Sequence, residues 1–280
     1  MKKILLPYDF SEAAINALNY TKNIFQGFDL EIYLLDVYTA NKASLVSKEM
    51  NESWFNEMDN EIEDEMNYLL EVLHGENKGF TYHGIVESDS FVKAIKNVIE
   101  KHHIDLIVSG TKGLKSVAQN ITGTNTFKVI NNIDTIPVLV VPVNFTYKKM
   151  QKVVFSTSYK RPFYTKELTL LLDMCVNLNY NLEVVNLTDE ENLTNTQKEH
   201  KKQLENILEV SGNAVSYKKI FWDESETTTL EHYIEETTST LLVLINHKYS
   251  FLNSFLEENV VKKSTLHSKI PLLILPENNG

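Results

Sequence analysis

The chain has 280 residues, enough for one large domain or two ordinary ones, and its 42% hydrophobic and 23% charged content is that of a globular protein. A formal net charge of −11 argues against a general nucleic-acid or anionic-membrane surface, because phosphates would be repelled, though a small basic pocket fits within it. A single cysteine, Cys175, excludes an intrachain disulfide. Its apolar neighbours in TLLLDMCVNL make a buried thiol the expectation.

The opening MKKILLPYDF breaks its apolar run at Pro7, too early for a signal peptide. No apolar run approaches the ~18 residues that cross a bilayer, so a cytoplasmic location is expected. After the strand-like KILLP, residues 11–25 place Ala14, Ala17, Leu18, Thr21, Ile24 and Phe25 on one helical face, with Ser11 as a cap. EIYLLDVY (31–38) reads as the second strand. Residues 55–73 then carry a stripe of Phe55, Met58, Ile62, Met66, Leu69 and Leu73. The acidic run DNEIEDE lies between those positions and reads as a wet helix face, not a metal site. FTYHGIVES (80–88) is a third strand, residues 90–102 a third helix, IDLIVSG (104–110) a fourth strand and TIPVLVVP (135–142) a fifth.

The same order then recurs. QKVVFSTSYKRPFYTKEL (151–168), LEVVNLT (182–188), VSYKKIFWD (215–223), TLLVLIN (240–246) and KIPLLILP (269–276) answer the five strands in turn. The boundary falls in VNFTYKKMQ after Pro142, giving domains at 1–145 and 146–280. Runs such as LIV, VLVV and LLVLI are apolar throughout, so both sheet faces are covered, the mark of a parallel sheet between helix layers. The expectation is an α/β chain of two tandem, doubly wound, five-stranded Rossmann-like domains. Ligands of such sheets bind beyond the carboxyl ends of the strands.

One such end carries GTKGLKSVAQNITGTNT (110–126), which holds three of the chain's nine glycines. As a bare sequence it is either a flexible connector or an anion cradle. In the second case Gly110 and Gly113 allow a close backbone approach, and Gly123 and Thr124 lead into the free N–H groups of a helix starting at Asn125 and Thr126. Lys112 adds a cation. The spacing is neither a P-loop, which needs Lys-Ser/Thr after its last glycine, nor a dinucleotide fingerprint, which needs Gly-x-Gly.

The full spacing Gly-x2-Gly-x9-Gly-Thr after DLIVSGTKG, together with ILLPYDFSEAAINAL, DVY and IPVLVVP, resembles the ATP-binding branch of the universal stress protein family. The resemblance is close over 1–143 and one of layout over 150–276, so the chain resembles the tandem form. It implies that Asp9 meets the ribose or the polar edge of the nucleotide on a wall shaped by Pro7 and Tyr8, and that Val37 contacts adenine. It further implies that Gly110, Lys112, Gly113, Gly123, Thr124, Asn125 and Thr126 hold the phosphates of ATP, ADP or AMP, with Mg²⁺ carried on the phosphates. Asp9 read alone is also a helix-start carboxylate favoured by the dipole, and Val37 also reads as core.

The second half departs where it matters. Ser158 stands opposite Asp9, Ile245 opposite Gly110 and Lys248 opposite Gly113, with Glu257 and Glu258 near the place of Gly123 and Thr124. Carboxylates there repel phosphate, so that half is expected to bind no nucleotide in this mode. His102 and His103 are adjacent, point about 100° apart on a helix and make a poor chelate. No GxSxG elbow occurs. Family members pair strand five between domains, which here implies a pseudo-dimer within one chain, with a homodimer and an unidentified protein partner as further possibilities. The leading function is nucleotide-dependent stress or energy signalling. A slow ATPase and a ligand-free interaction module are the alternatives.

Overall fold

The computed structural model describes residues 1–38, 48–76, 79–111, 125–149, 152–188, 191–210, 212, 214–221, 226–246 and 269–277, with backbone alone at 48–60 and 227. In chain order the first half runs β1 (Lys3–Pro7), α1 (Glu12–Ile24), β2 (Leu30–Tyr38), α2 (Lys48–Gly75), β3 (Phe80–Ser88), α3 (Phe91–His102), β4 (Leu106–Thr111), α4 (Asn125–Asn132) and β5 (Val138–Pro142). The second half runs β6 (Lys152–Thr157), α5 (Thr165–Leu178), β7 (Asn181–Thr188), α6 (Asn195–Val210), β8 (Val215–Phe221), α7 (Glu226–Glu236), β9 (Leu241–Asn246) and β10 (Leu272–Pro276).

All ten strands join one sheet in the order β3-β2-β1-β4-β5-β10-β9-β6-β7-β8. Within each half the pairings are parallel, as the continuous apolar runs require, and β5 meets β10 antiparallel. The expected pairing of the two fifth strands within one chain is therefore what is observed. It converts two apolar edges into the middle of a sheet.

The register exposes the internal symmetry. Ile4 pairs with Ile32 and Leu106, and Val153 pairs with Leu182 and Leu241. Ile4 and Val153 are thus counterparts, and the same counting makes Leu139 the counterpart of Leu273. These two also pair with each other across β5 and β10, so a pseudo-twofold axis passes between them. The third strands correspond through Tyr82 and Val215, two residues further along β3 than the matching of FTYHGIVES to VSYKKIFWD implies.

Backbone conformation repeats too. Left-handed residues stand before the helix in both halves at Phe10 (φ 55°) and Tyr159 (φ 55°), and before the fourth strand at His103 and Thr238. A non-glycine residue pays about 1 kcal/mol or more for that conformation, so its recurrence at aromatic positions reflects a demand of the turn. Ring contacts hold both: Tyr8 against Phe10 at 5.1 Å and Tyr159 against Phe163 at 6.4 Å.

The sheet is covered on both faces. One layer packs Leu6, Ala17, Leu18 and Met66 of the first half in a single cluster with Phe155, Leu168, Leu171 and Leu204 of the second. The other buries Ile95, Val98, Val129 and Ile130 together with Leu230, Leu244, Leu272 and Ile274. Cys175 is buried as expected, and burial pushes its thiol up to about 12. The connection after β5 lies along α1: Asn16 donates to the Pro142 and Phe145 carbonyls, and Tyr20 meets Phe145 and Tyr147 edge to face. No described helix is long and apolar enough to cross a membrane.

Candidate functional site

A cleft of about 290 Å³ opens beyond the carboxyl ends of β1, β2 and β4, where a doubly wound sheet offers room for a ligand. Of the residues implicated by sequence, it gathers Pro7, Tyr8, Asp9, Val37, Gly110, Asn125 and Thr126. Lys112, Gly113, Gly123 and Thr124 lie outside the described residues, as do Lys248, Glu257 and Glu258 of the second half.

The wall on the β1 side is set by main-chain bonds. The Tyr8 N–H donates to the Leu35 carbonyl at 2.8 Å and extends the β1–β2 ladder by one residue. The chain then turns through left-handed Phe10, and Asp9 Oδ1 accepts from the Ser11 N–H at 3.2 Å. Ser11 Oγ in turn accepts from Ala14 N–H at 3.3 Å and caps α1, as its position predicts. Asp9 thus has one oxygen in a local turn, and among the described residues its other oxygen is available to a ligand. Tyr8 is buried, so its contribution is to the wall's shape.

Gly110 is a glycine for a reason that the sequence does not announce. It lies within β4, and a Cβ there would sit 2.1 Å from the Ala13 carbonyl oxygen and 2.4 Å from its carbon. The first turn of α1 thus lies directly on the strand, and only a residue without a side chain permits it. This brings the amino end of α1 against the floor of the cleft.

Asn125 and Thr126 open α4, whose first-turn N–H groups have no partner within the helix. The Thr126 hydroxyl is already engaged. It donates to the Gly110 carbonyl at 2.9 Å and lies 3.0 Å from Ser109 Oγ. That clamp fixes the end of α4 to β4, so Thr126 offers a ligand its main-chain N–H and not its hydroxyl. An anion in the cleft would meet this helix terminus with favourable dipole sign.

Asp36 is the residue that sequence reasoning missed. It lines the cleft beside Val37, and burial, followed by the charges of Asp9 and Glu65, raises its carboxyl to about 6 even though the Val37 N–H bonds it. The only sequence signal was an ionisable residue at the carboxyl end of a strand, in DVY. Val37 packs partly against the α3-side core and also lines the cleft, so both readings of it hold geometrically.

The second half builds its counterpart differently. Ile245, in the place of Gly110, is 6% exposed, and its side chain occupies the strand surface that α1 covers in the first half. Accordingly α5 starts six residues after left-handed Tyr159, whereas α1 starts two after Phe10. The longer turn is tied down by Gln197 Nε2 to the Ser158 carbonyl at 3.0 Å and by Arg161 to buried Glu167 at 2.7 Å. A hollow of about 250 Å³ persists nearby, but its lining is Ser158, Lys160, Thr188, Gln197 and Glu226, away from β9. Ile245 is buried where the first half has Gly110, and a hollow remains beside it. Among the described residues no group of three or more metal-ligating side chains occurs.

Comparison with known proteins agrees with this geometry. The family model described as the universal stress protein family matches residues 1–142. A universal stress protein of Methanocaldococcus jannaschii is 31% identical over 143 residues, 50% of this chain and 81% of its own. Among solved structures, a universal stress protein from Archaeoglobus fulgidus shares the fold over 99% of this chain and 97% of its own, at 15% identity and a TM-score of 0.69. A putative universal stress protein from Pseudomonas aeruginosa does so over 98% and 93%, at 10% identity and 0.57. With its amino-terminal half matched by the family model and its strand-end cleft in the place such sheets reserve for ligands, the chain belongs to the universal stress protein family.

Proposed function

We propose that the first half binds an adenine nucleotide, ATP in the first instance, and that the second half is a degenerate copy that binds none in the same mode. The observation that carries this reading is the cleft in which Gly110 lets α1 approach the strand ends while α4 presents its amino terminus, set against Ile245 in the second half. The described residues fit such a ligand. Pro7, Asp9 and Val37 would receive the nucleoside, and the amides of Asn125 and Thr126 would receive phosphate. The family resemblance adds Lys112, Gly113, Gly123 and Thr124 to the phosphate side, with Mg²⁺ carried on the phosphates to offset their charge.

In this reading residues 1–145 bind nucleotide in the cytoplasm, and residues 146–280 complete the pseudo-dimer and supply surface for a protein partner. The bound state then reports stress or energy status. Titration calorimetry with ATP, ADP and AMP tests the reading, and saturable binding of one nucleotide per chain is expected. An absence of binding at about millimolar nucleotide overturns it in favour of a ligand-free module. Steady phosphate release from ATP that vanishes in Gly113→Val would instead make the protein a slow ATPase, for which a water-positioning group must lie near the γ-phosphate.

A further inference from the structure

We infer that nucleotide capture by the first half takes up a proton on Asp36, so that the site binds more tightly as the surroundings acidify. The inference rests on the nucleotide reading above and adds a regulator to it.

The geometry comes from the pseudo-twofold. Asp36 follows Leu35, which pairs with Pro7, so it stands across from Tyr8. Its counterpart in the second half is Asn186, which pairs with Thr157, the counterpart of Tyr8. There the arrangement is satisfied: Asn186 is 4% exposed, and its amide Nδ2 donates to the Thr157 carbonyl at 3.0 Å. An ionised carboxylate has no proton to give a facing carbonyl, whereas a neutral carboxyl does. The first half thus places an ionisable group where its twin uses an uncharged donor.

Among the described residues, the charged groups that act on Asp36 are acidic. Asp9 faces it from the turn after β1, and Glu65 faces it from α2. Its neighbour in β3 is Val86, and the end of β4 contributes Ser109 and Gly110, none of which carries charge. Among the described residues, the Val37 N–H favours the ionised form. These influences leave the carboxyl half-titrated near pH 6 in the unliganded protein.

A polyphosphate entering the same cleft, even with its charge partly offset by Mg²⁺, adds net negative charge and displaces water from the carboxyl. Both effects favour the neutral form. The pKa of Asp36 is then higher with nucleotide bound than without, and linkage requires binding to draw in a proton. Affinity is greatest below the free pKa and falls as pH rises through the interval between the free and bound values. The fall approaches tenfold per pH unit inside that interval.

The test compares the full chain with Asp36→Asn by calorimetry with ATP at about pH 5.5 and about pH 7.5. Asn186 shows that an asparagine fits the counterpart position of the second half. Titration of ATP itself is common to both proteins, so the ratio of their affinities isolates Asp36. The wild-type-to-variant ratio of Kd is expected to rise about tenfold or more between the two conditions. At about pH 7 in buffers of different ionisation enthalpy, the wild type is expected to take up more protons per bound nucleotide than the variant. A ratio constant within about twofold, with equal proton uptake, overturns the inference while leaving the nucleotide site standing. Failure of both proteins to bind at either pH overturns the nucleotide reading and this inference with it.

Discussion

The two halves share a strand order, a pair of left-handed turns and a common axis, yet they treat the same strand end in opposite ways. In the first, Gly110 lets the start of α1 rest on β4, and α4 opens toward the space beyond. In the second, Ile245 holds that surface, α5 begins later, and Gln197 and Arg161 tie the intervening turn. At this position, a residue without a side chain goes with a helix terminus resting on the strand end, and a branched one with a helix that starts later. Duplication thus preserves the sheet, whose pairing depends on every strand, while the loops beyond it diverge.

The comparison is most severely tested at the axis. Leu139 and Leu273 pair there and both are fully buried, so the fold of each half leans on the other. Leu273→Asp puts an unpartnered carboxylate into a dry sheet centre and is expected to cost about 4 kcal/mol or more. Urea denaturation measures it, and a loss below about 1 kcal/mol would show that the halves stand independently.

Next in size is Gly110→Ile, which gives the first half its twin's residue. The new side chain collides with the Ala13 main chain, so the expected loss is about 3 kcal/mol, with nucleotide binding abolished. Retained binding would separate the cleft from the approach of α1.

The smallest effect is electrostatic. The folded pKa of Asp36, about 6, lies above the ordinary 3.8, so the native state holds its proton more tightly than the unfolded chain. Stability from this group is fully present at low pH and is lost as pH rises from about 4 through about 6. Asp36→Asn is therefore expected to be more stable than the wild type at about pH 7.5, by roughly 1 kcal/mol after allowance for partial solvent access, and level with it near pH 4. Thermal melting at the two pH values checks the sign.

Much of this was legible in the residues. Periodicity and repetition gave the order of elements along the chain and the α/β class, while the pairing of β5 with β10 was what the family resemblance implied. The opposition of Ser158 to Asp9 and of Ile245 to Gly110 was likewise readable. The reason for Gly110 was not, because the close approach of α1 is a tertiary contact between residues nearly a hundred positions apart. The tie of the Thr126 hydroxyl to Gly110 and Ser109 of β4 was not legible either, because it too is a contact made only on folding. Asp36 was invisible as a perturbed group, since its shift arises from burial and from Asp9 and Glu65, which only folding assembles.

The central claim is that one half receives the nucleotide and the other does not. Amide hydrogen exchange of the full chain, with and without saturating ATP, tests it directly. The account predicts slowed exchange at 8–14, 35–38, 106–111 and 125–130, with 157–164, 186–188 and 241–246 unchanged. Protection confined to the second set, or equal protection in both, would contradict it.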